Sequence, residues 1–424
     1  MSDALPGTAT AGVSPGTSLN SHPTAANPSP STLLLCLSHL RWDFVFQRPQ
    51  HLLTRAARTR SVVFFEEPHF DAGIAPRLET RNTPEGVIVA VPYLPAGLSP
   101  VEVTAAQRRL LDELVAGVAD RSMIAWFYTP MALEFAGHLK PDLTVYDCMD
   151  ELSAFRGAPP RMLELEQELL SRADLVFTGG RSLYEAKRGR HARVSCFPSS
   201  IDATHFIAAR AGCDDPEDQA DIPHPRIGFF GVVDERMDTG LVGALAAARP
   251  DWSFVMIGPV VKIDPAELPR LPNIHWLGGK GYPELPRYLA GWDAGFMPFA
   301  LNESTRFISP TKTPEFLAAG LPVVSTPITD VVRDWGPKED GGLGLVEIAD
   351  EPVAFAAALQ QVLSQPRAPW LKQVDRRLAR ISWDRTWAEM DGQIAAALRA
   401  ATAQPASPAP VFSANATLRR ASHV

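Results

Sequence analysis

The chain alternates short apolar segments with amphipathic ones in two blocks. In the first block, segments such as "SVVFFEEP", "MIAWFYTP" and "ADLVFTGG" predict buried strands, and "VTAAQRRLLDELVAGVA" predicts a helix between them. The second block begins at "RIGFFG" and repeats the pattern through "WSFVMIG", "DAGFMPF" and "PVVSTP". Short strands joined by helices are typical of parallel sheets that carry helices on both faces. The sequence therefore predicts an α/β chain with two doubly wound, Rossmann-like domains that face each other across a cleft.

A polar, acidic and proline-interrupted stretch, 198–226, separates the two blocks and predicts the connection between the domains. The two ends of the chain are rich in Ser, Thr, Ala and Pro, so we expect them to be disordered. The predicted segments are, in order, a disordered N-terminal segment, a first domain, a linker, a second domain, a closing helix and a disordered tail: 1–30, 31–210, 211–225, 226–380, 381–400 and 401–424.

Composition excludes several classes of protein. The chain has 40 Lys and Arg against 48 Asp and Glu, a formal net charge of −8, which argues against a nucleic-acid-binding surface. No run of 18 apolar residues occurs, so we predict no membrane span. Four widely spaced cysteines without a CxxC pair predict reduced thiols in a cytoplasmic protein and no metal site. These cysteines are Cys36, Cys148, Cys196 and Cys213.

The most informative stretch is "SPTKTPEFLAAGLPVVSTP", which begins at Ser309. Pro314 has no N–H group and is tolerated only in the first turn of a helix, which places it at the third position if Thr311 is the N-cap. That arrangement leaves free amides on Thr311, Lys312 and Thr313 at the positive end of a helix dipole, where anions bind.

Two charged side chains accompany these amides. Lys312 adds a full positive charge, and Glu315 lies near enough to accept hydrogen bonds from hydroxyl groups. We therefore predict a phosphate site beside a polyol site. The alternative is a plain capped helix that carries Lys312 and Glu315 as a surface pair.

Two further loops follow strands of the second block. Gly231 ends "RIGFFG" and permits close approach of a ligand to the backbone, and Arg236 in "VVDERMD" can supply a bidentate phosphate contact. The alternative for this loop is a solvated run of charges. In the second of these loops, Gly258 follows "FVMI" and is a weaker candidate, for contact with the base of a nucleotide.

These segments, in this order, resemble the retaining nucleotide-sugar glycosyltransferases of GT-B architecture, the group called family 4 or glycosyl transferases group 1. The most specific segment reads as "PxKxxExLAAGxPVVST", and "RWDFVFQRPQHL" and "VYDCMDELSAF" extend the resemblance over roughly 32–400. It implies transfer of a hexosyl group from a nucleotide-diphosphate sugar to a hydroxyl acceptor, in polysaccharide or cell-surface assembly. It also implies that the nucleotide sugar is a co-substrate, with no cofactor and no metal.

The resemblance further implies a donor site in the second domain. Glu315 matches the residue that holds the donor ribose, Lys312 the diphosphate site, and Gly231 the glycine that faces the phosphates. The implied donor-binding residues are Gly231, Gly258, Ser309, Pro310, Thr311, Lys312, Thr313 and Glu315. The closing helix matches the segment that crosses back to the first domain.

Two positions depart from the group. Where many members have a glutamate eight residues before the ribose glutamate, this chain has Phe307, and the nearest carboxylate is Glu303. Where many have a histidine, the loop reads "YDCMDE", and we place Asp150 first and Asp147 second as its replacement. Asp150 is open as nucleophile, base, stabiliser of an oxocarbenium ion, or simple cap of the following helix.

We therefore predict a catalytic set of Asp150, Arg236 and Lys312, in which the two cations meet the charge of the leaving group. The loop "SHLRWDFVFQRPQHL" is predicted to line the acceptor side, because an aromatic beside an arginine suits a sugar with a polar or anionic group. Its candidate residues are His39, Arg41, Trp42, Gln47 and Arg48. For His39 alone, a loop histidine satisfied by the backbone is the alternative.

Two other functions stay open on the same scaffold, namely a nucleotide-sugar 2-epimerase and a non-catalytic nucleotide-sugar-binding protein. A glycan acceptor linked to a lipid would bring the chain to the inner face of a membrane. The short "RRLAR" at 376–380 is the one basic candidate for such peripheral contact.

Overall fold

A computed structural model describes residues 32–117, 121–337 and 344–403. The predicted disordered segment 1–30 lies outside the described residues. The predicted tail 401–424 does too, except for 401–403, which continue the last helix.

The first block of the sequence forms a sheet that is parallel except for one strand. The strands lie in the order β3-β5-β2-β1-β6-β7-β8-β9, and β4 pairs antiparallel with β5 at the edge. The central strands read as continuous apolar runs because both of their faces are buried. The strands are β1 (Thr32–Leu37), β2 (Ser61–Phe65), β3 (His69–Asp71), β4 (Arg77–Asn82), β5 (Val87–Pro95), β6 (Ser122–Phe127), β7 (Leu143–Cys148), β8 (Leu175–Thr178) and β9 (Val194–Cys196).

Five α-helices accompany these strands in the described part of the first block. They are α1 (Arg48–Ala56), α2 (Pro100–Ala116), α3 (Leu133–Ala136), α4 (Met162–Arg172) and α5 (Arg181–Lys187).

The second block forms a wholly parallel sheet in the order β12-β11-β10-β13-β14-β15. Its strands are β10 (Arg226–Phe230), β11 (Ser253–Ile257), β12 (Ile274–Gly278), β13 (Ala294–Met297), β14 (Val323–Ser325) and β15 (Val346–Ile348). The accompanying helices are α6 (Ala203–Ile207), α7 (Glu217–Ala220), α8 (Thr239–Ala248), α9 (Leu285–Ala290), α10 (Lys312–Ala319), α11 (Thr329–Trp335), α12 (Pro352–Ser364), α13 (Arg367–Leu378) and α14 (Trp383–Ala403).

Each sheet has an apolar core on both faces. In β1, Leu34 and Cys36 point to one core, whereas Leu33, Leu35 and Leu37 point to the other, as the two-residue period of a strand requires. The second sheet is likewise covered on both sides. The prediction of two doubly wound domains is confirmed.

The last helix belongs to the core of the first sheet, although it follows the second domain in sequence. Its apolar residues recur at helical spacing on one face and pack on the first core. They are Trp383, Trp387, Met390, Ile394 and Ala397. The crossing back of the closing helix is therefore observed. None of the described helices is both long enough and apolar enough to cross a bilayer.

The chain joins the core of the second domain before the predicted linker. Ile201, Phe206 and Ala209 pack in that core, although they lie within the predicted first domain, 31–210. Helix α6 contributes Phe206 and packs beside α10.

The two domains touch at two separate contacts. At the first, the backbone N–H and Oγ of Ser182 in α5 donate to the carboxylate of Asp330 in α11, at 3.1 and 2.5 Å. At the second, the ring of Phe46 stacks on Tyr282 with centroids 4.3 Å apart. These contacts bring the loops that follow β1, β7, β10 and β11 towards one another.

Candidate active site

Lys312 and Gly231, predicted from separate motifs, lie directly against each other. Lys312 is the first residue of α10, and Gly231 follows β10 with φ of +135°. A Cβ atom on Gly231 would lie 1.9 Å from Cε of Lys312 and 2.6 Å from its Nζ. The lysine side chain therefore occupies the space that a glycine leaves open, and any larger residue at 231 would displace it.

Gly258 supports this arrangement from behind. Its φ is +146°, and a Cβ atom there would lie 1.8 Å from the carbonyl oxygen of Gly231. The N–H of Gly231 donates to the carbonyl of Ile257 at 2.8 Å. The structure thus places Gly258 against the backbone that carries Gly231.

The start of α10 follows the predicted register, with Thr311 at the N-cap and Pro314 at the third helical position. Thr311 has helical φ and ψ, and its side chain makes no capping bond to the backbone. The amide of Thr313 donates to the carbonyl of Pro310 at 3.3 Å, so it is not the free donor that we predicted. The amides of Thr311 and Lys312 make no hydrogen bond within the described ranges, which leaves two donors beside the lysine.

Glu315 is buried one turn into the same helix, with 5% of its surface exposed. Burial raises the pKa of its carboxyl group to about 7, while the charge of Lys312 and a hydrogen bond with the Thr311 side chain act in the opposite direction. Burial lowers the pKa of Lys312, and the charge of Glu315 opposes that shift. A cation and a carboxyl group are therefore held together at the mouth of the helix.

Arg236 is fixed by a buried neighbour. Its guanidinium forms a bidentate pair with Asp234, with contacts of 2.7 to 3.2 Å, and the backbone N–H of Arg236 also donates to that carboxylate at 3.0 Å. The carbon at the centre of the guanidinium lies 5.5 Å from the ring centre of Phe155, which belongs to the first domain. The head group is thus oriented before any ligand binds.

Asp150, which follows β7, faces these cations from the first domain. Burial raises the pKa of its carboxyl group to about 6; the charges of Arg236 and, more weakly, Lys312 lower it, and that of Asp234 raises it. The three residues predicted as the catalytic set are therefore in one electrostatic environment.

Asp147, the second choice for that role, lies inside the first domain. It is fully buried and forms a bidentate pair with Arg48 at 2.8 to 3.1 Å, and Arg48 also donates to the carbonyl of Phe197 at 2.8 Å. Both charges are used within the core, and the expectation that Arg48 lines the acceptor side is wrong for this reason.

Three other predicted acceptor residues make contacts within the first domain. Trp42 is buried against Phe64, so it also belongs to the core and not to the cleft surface. Gln47 is the N-cap of α1, and Arg41 contacts the ring of His69 and the carbonyl of Pro68. A contiguous loop sequence does not reveal which of its side chains turn inward.

Among the predicted acceptor residues, His39 is the one that interacts with a charged side chain of the second domain, Lys262. Its Nδ1 atom is buried and has no hydrogen-bond partner in the part of the chain that the structure describes. Burial lowers the pKa of the ring to about 4, with a further contribution from the charge of Lys262. The imidazole is therefore neutral at physiological pH.

The loop before α10 departs from the group as the sequence indicated. Phe307 packs against the core of the first domain, while Glu303 is exposed and pairs with Arg306 at 3.7 Å. The carbonyl of Ser309 accepts a hydrogen bond of 2.5 Å from the hydroxyl of Ser199, so the first domain holds this loop.

Three residues of the site were missed by sequence reasoning, namely Phe155, Asp234 and Lys262. Phe155 contacts two cations, since Cζ of Arg236 lies 5.5 Å from its ring centre and Nζ of Lys262, from another loop, lies 5.6 Å from it. An aromatic residue in the loop after β7 was the available signal. No group of three or more His, Cys, Asp or Glu within the described ranges is arranged to hold a metal ion.

Comparisons with known proteins agree with this architecture. Residues 224–365 match the model of the family Glycosyl transferases group 1. A Bacillus subtilis (strain 168) protein assigned to teichuronic acid biosynthesis as the glycosyltransferase TuaH is 29% identical over 295 residues, 64% of this chain and 71% of the relative.

Two solved structures show the same fold. Sucrose-phosphate synthase from Thermosynechococcus elongatus has a TM-score of 0.63 at 16% identity, over 87% of this chain and 99% of that chain. A trehalose-6-phosphate synthase, studied for glycosyl transfer with retention, has a TM-score of 0.59 at 13% identity, over 86% of this chain and 99% of that chain. At these identities the likeness concerns the fold, which is GT-B.

Proposed function

We propose that this chain, a glycosyltransferase with the GT-B fold, transfers a sugar from a nucleoside-diphosphate sugar to a hydroxyl group of a glycan acceptor. The observation that carries the proposal is the seating of Lys312 over Gly231 with Glu315 buried beside it. The diphosphate of such a donor needs a cation and free backbone amides. The neighbouring ribose needs a carboxylate that accepts hydrogen bonds from its hydroxyl groups.

The leaving nucleoside diphosphate gains negative charge as the glycosidic bond breaks. We assign the stabilisation of that charge to Lys312, Arg236 and the two free amides at the start of α10. Arg236 is already oriented by Asp234, so little reorganisation accompanies the reaction. This electrostatic effect needs neither a cofactor nor a metal ion, and the nucleotide sugar is a co-substrate.

Asp150 lies where the transferred sugar would meet both domains. With a pKa of about 6 its carboxyl group is mostly ionised at pH 7, and a carboxylate beside the anomeric carbon stabilises an oxocarbenium-like transition state. We propose transfer with retention of configuration, with Asp150 as that stabilising group.

We assign the binding site of the acceptor to the side of the cleft that the first domain forms. The TuaH relative is assigned to teichuronic acid biosynthesis, and we extend assembly of a cell-surface polysaccharide to this chain as a proposal. A lipid-linked acceptor would bring the protein to the cytoplasmic face of the membrane as a peripheral protein.

The proposal is tested by calorimetric titration of the full chain with UDP, GDP, ADP and dTDP in the presence of EDTA. We expect one nucleotide to bind, Lys312→Met to weaken its binding at least tenfold, and Glu315→Ala to weaken it as well. Lys372, an exposed lysine of the same domain, provides the matched control Lys372→Met, which should bind like the wild type. Wild-type affinity in Lys312→Met, or no binding by any of the four nucleotides, would contradict the donor site.

A further inference from the structure

A further cation, Lys262, reaches the cleft outside the proposed donor site. It lies in the loop that follows β11 and has φ of 61°, the one positive φ of a non-glycine residue in the described ranges. A lysine in this left-handed conformation costs free energy and persists where the surrounding structure holds it, a situation that is common at ligand sites.

The ammonium group of Lys262 is held by an aromatic ring and has no ion-pair partner. Its Nζ lies 5.6 Å from the centre of the Phe155 ring, which is a cation–π contact. In the part of the chain that the structure describes, no carboxylate lies within 4.0 Å of Nζ, in contrast to Arg236, which is paired with Asp234. Lys262 therefore keeps its charge available for a ligand.

The position of Lys262 places that charge on the acceptor side. Its charge contributes to lowering the pKa of His39 and opposes the burial that raises the pKa of Glu67, and both residues follow strands of the first domain. Arg236 contacts the same Phe155 ring, so the two cationic groups lie within about 11 Å of each other. One pair of substrates can thus reach both cations.

His39 supplies an independent indication of a ligand. Its Nδ1 atom is buried without a partner, and buried polar atoms are nearly always hydrogen-bonded in native proteins. A neutral imidazole can donate one hydrogen bond to an anionic oxygen without the repulsion that a second positive charge would add beside Lys262.

We propose that Lys262 and His39 form an anion subsite that selects an acceptor carrying a phosphate or carboxylate group. The inference rests on the proposed function and adds to it the chemical class of the acceptor. In this proposal the acceptor sugar lies beside Phe155, while Lys262 and His39 bind the anionic substituent. Glu67, which interacts electrostatically with Lys262 and Arg41, and Arg41 itself, which contacts His69, lie beside the subsite.

The test compares three sugars on the full chain by calorimetry, namely glucose, glucose 1-phosphate and glucuronate. Each is titrated with and without the nucleotide that binds. We expect at least one anionic sugar to bind at least tenfold more tightly than glucose, and the phosphate and carboxylate arms show which group is preferred. Equal affinity for all three sugars in the wild type would overturn the proposal.

Three variants separate the subsite from the donor site. Lys262→Gln should reduce the preference for the anionic sugar to less than threefold, and His39→Phe should weaken the anionic sugar several-fold. Both should bind the nucleotide like the wild type, and Lys372→Gln should behave like the wild type throughout. Loss of nucleotide affinity in Lys262→Gln equal to its loss of anion affinity would place Lys262 in the donor site and overturn the proposal.

Lys262→Gly tests whether a lost preference could result from misfolding. Glycine adopts positive φ without strain, so this variant removes the charge while it keeps the backbone conformation. We expect this variant to have a Tm equal to or above that of the wild type and to lose the preference for the anionic sugar. If no nucleotide binds the wild type but the Lys262-dependent preference remains, the donor assignment fails and the subsite stands. If the nucleotide binds and the preference is absent, only the subsite fails.

Discussion

At the scale of single residues, the site concentrates carboxyl groups that burial keeps partly protonated. Glu315 has a pKa of about 7 in the folded chain against 4.5 as an ordinary glutamate, so the folded state holds its proton over a range in which the unfolded state has released it. Between these values the folded state binds more protons, and stability therefore falls as pH rises.

This pKa shift predicts a pH-dependent difference between the wild type and Glu315→Gln. From pH 4.5 to about pH 8, the free energy of unfolding of the wild type should fall relative to the variant by about 3 kcal/mol, because the variant has no proton to lose. Urea denaturation at several pH values measures it, with the exposed Glu389→Gln as control. A constant difference between wild type and variant over this range would show that Glu315 is not buried as described.

Two aspartates near the end of β7 are predicted to respond in different ways to the same substitution. Asp150→Asn should lower kcat by a factor of about 10² to 10⁴ and leave nucleotide affinity within about twofold, because Asp150 acts on the transferred sugar. Asp147→Asn should instead destabilise the fold by about 3–5 kcal/mol, because it leaves the buried Arg48 unpaired. Steady-state kinetics and urea denaturation of both variants decide the matter, and full turnover in Asp150→Asn would remove it from catalysis.

The sequence predicted which residues of the second domain lie together better than it predicted which residues of the first domain line the cleft, and the reason is local. Lys312 and Glu315 lie within one helical turn. Pro314 and Gly320 in the same stretch mark the start and the end of that helix, so the sequence alone places both charges in its first turn. Phe155 and Lys262 meet only because two loops, far apart in the chain, end at one cleft. No single-segment pattern contains such a contact.

At the scale of secondary-structure elements, most of the strands that the sequence indicated have both faces buried, as β10 and β11 do. The missed strands are short or polar, and β4 shows why: its side chains are mostly exposed, so no apolar alternation marks it, and it forms through pairing with β5. Helix α14 could be predicted from its own sequence, because its apolar residues recur with the helical period.

Helix α14 also offers a pair of substitutions with opposite expected effects. Trp383 is fully buried and stacks on His51 with ring centres 4.7 Å apart, so Trp383→Ala should destabilise the protein by about 3–5 kcal/mol. Gly392 lies on the exposed face of the same helix with open space where a Cβ would be, so Gly392→Ala should stabilise it by about 0.5–1 kcal/mol. Denaturant unfolding compares them, and a loss below 1 kcal/mol for Trp383→Ala would mean that α14 is not part of the first core.

At the scale of the whole molecule, the two domains carry one half of the site each. Asp150, Phe155 and His39 come from the first domain, and Lys312 and Arg236 from the second. The distances between these groups therefore depend on the contacts that hold the domains together. Among those contacts, the pairing of Asp330 with Ser182 is the most buried, since Asp330 is 2% exposed.

This dependence predicts that Asp330→Ala acts at a distance. The substitution leaves the amide and hydroxyl of Ser182 without an acceptor at the domain boundary, so the domains should separate more readily and the radius of gyration should rise in small-angle X-ray scattering. Nucleotide affinity should remain near that of the wild type, because the donor residues all belong to one domain, whereas turnover should fall, because Asp150 no longer meets Lys312 and Arg236. Asp375→Ala is the matched control, since Asp375 pairs with Arg210 within the second domain and away from the cleft. An unchanged radius together with unchanged turnover in Asp330→Ala would contradict this prediction and would mean that the stacking of Phe46 on Tyr282 suffices to hold the domains. In that case, turnover should be lost in the double variant that also carries Phe46→Ala.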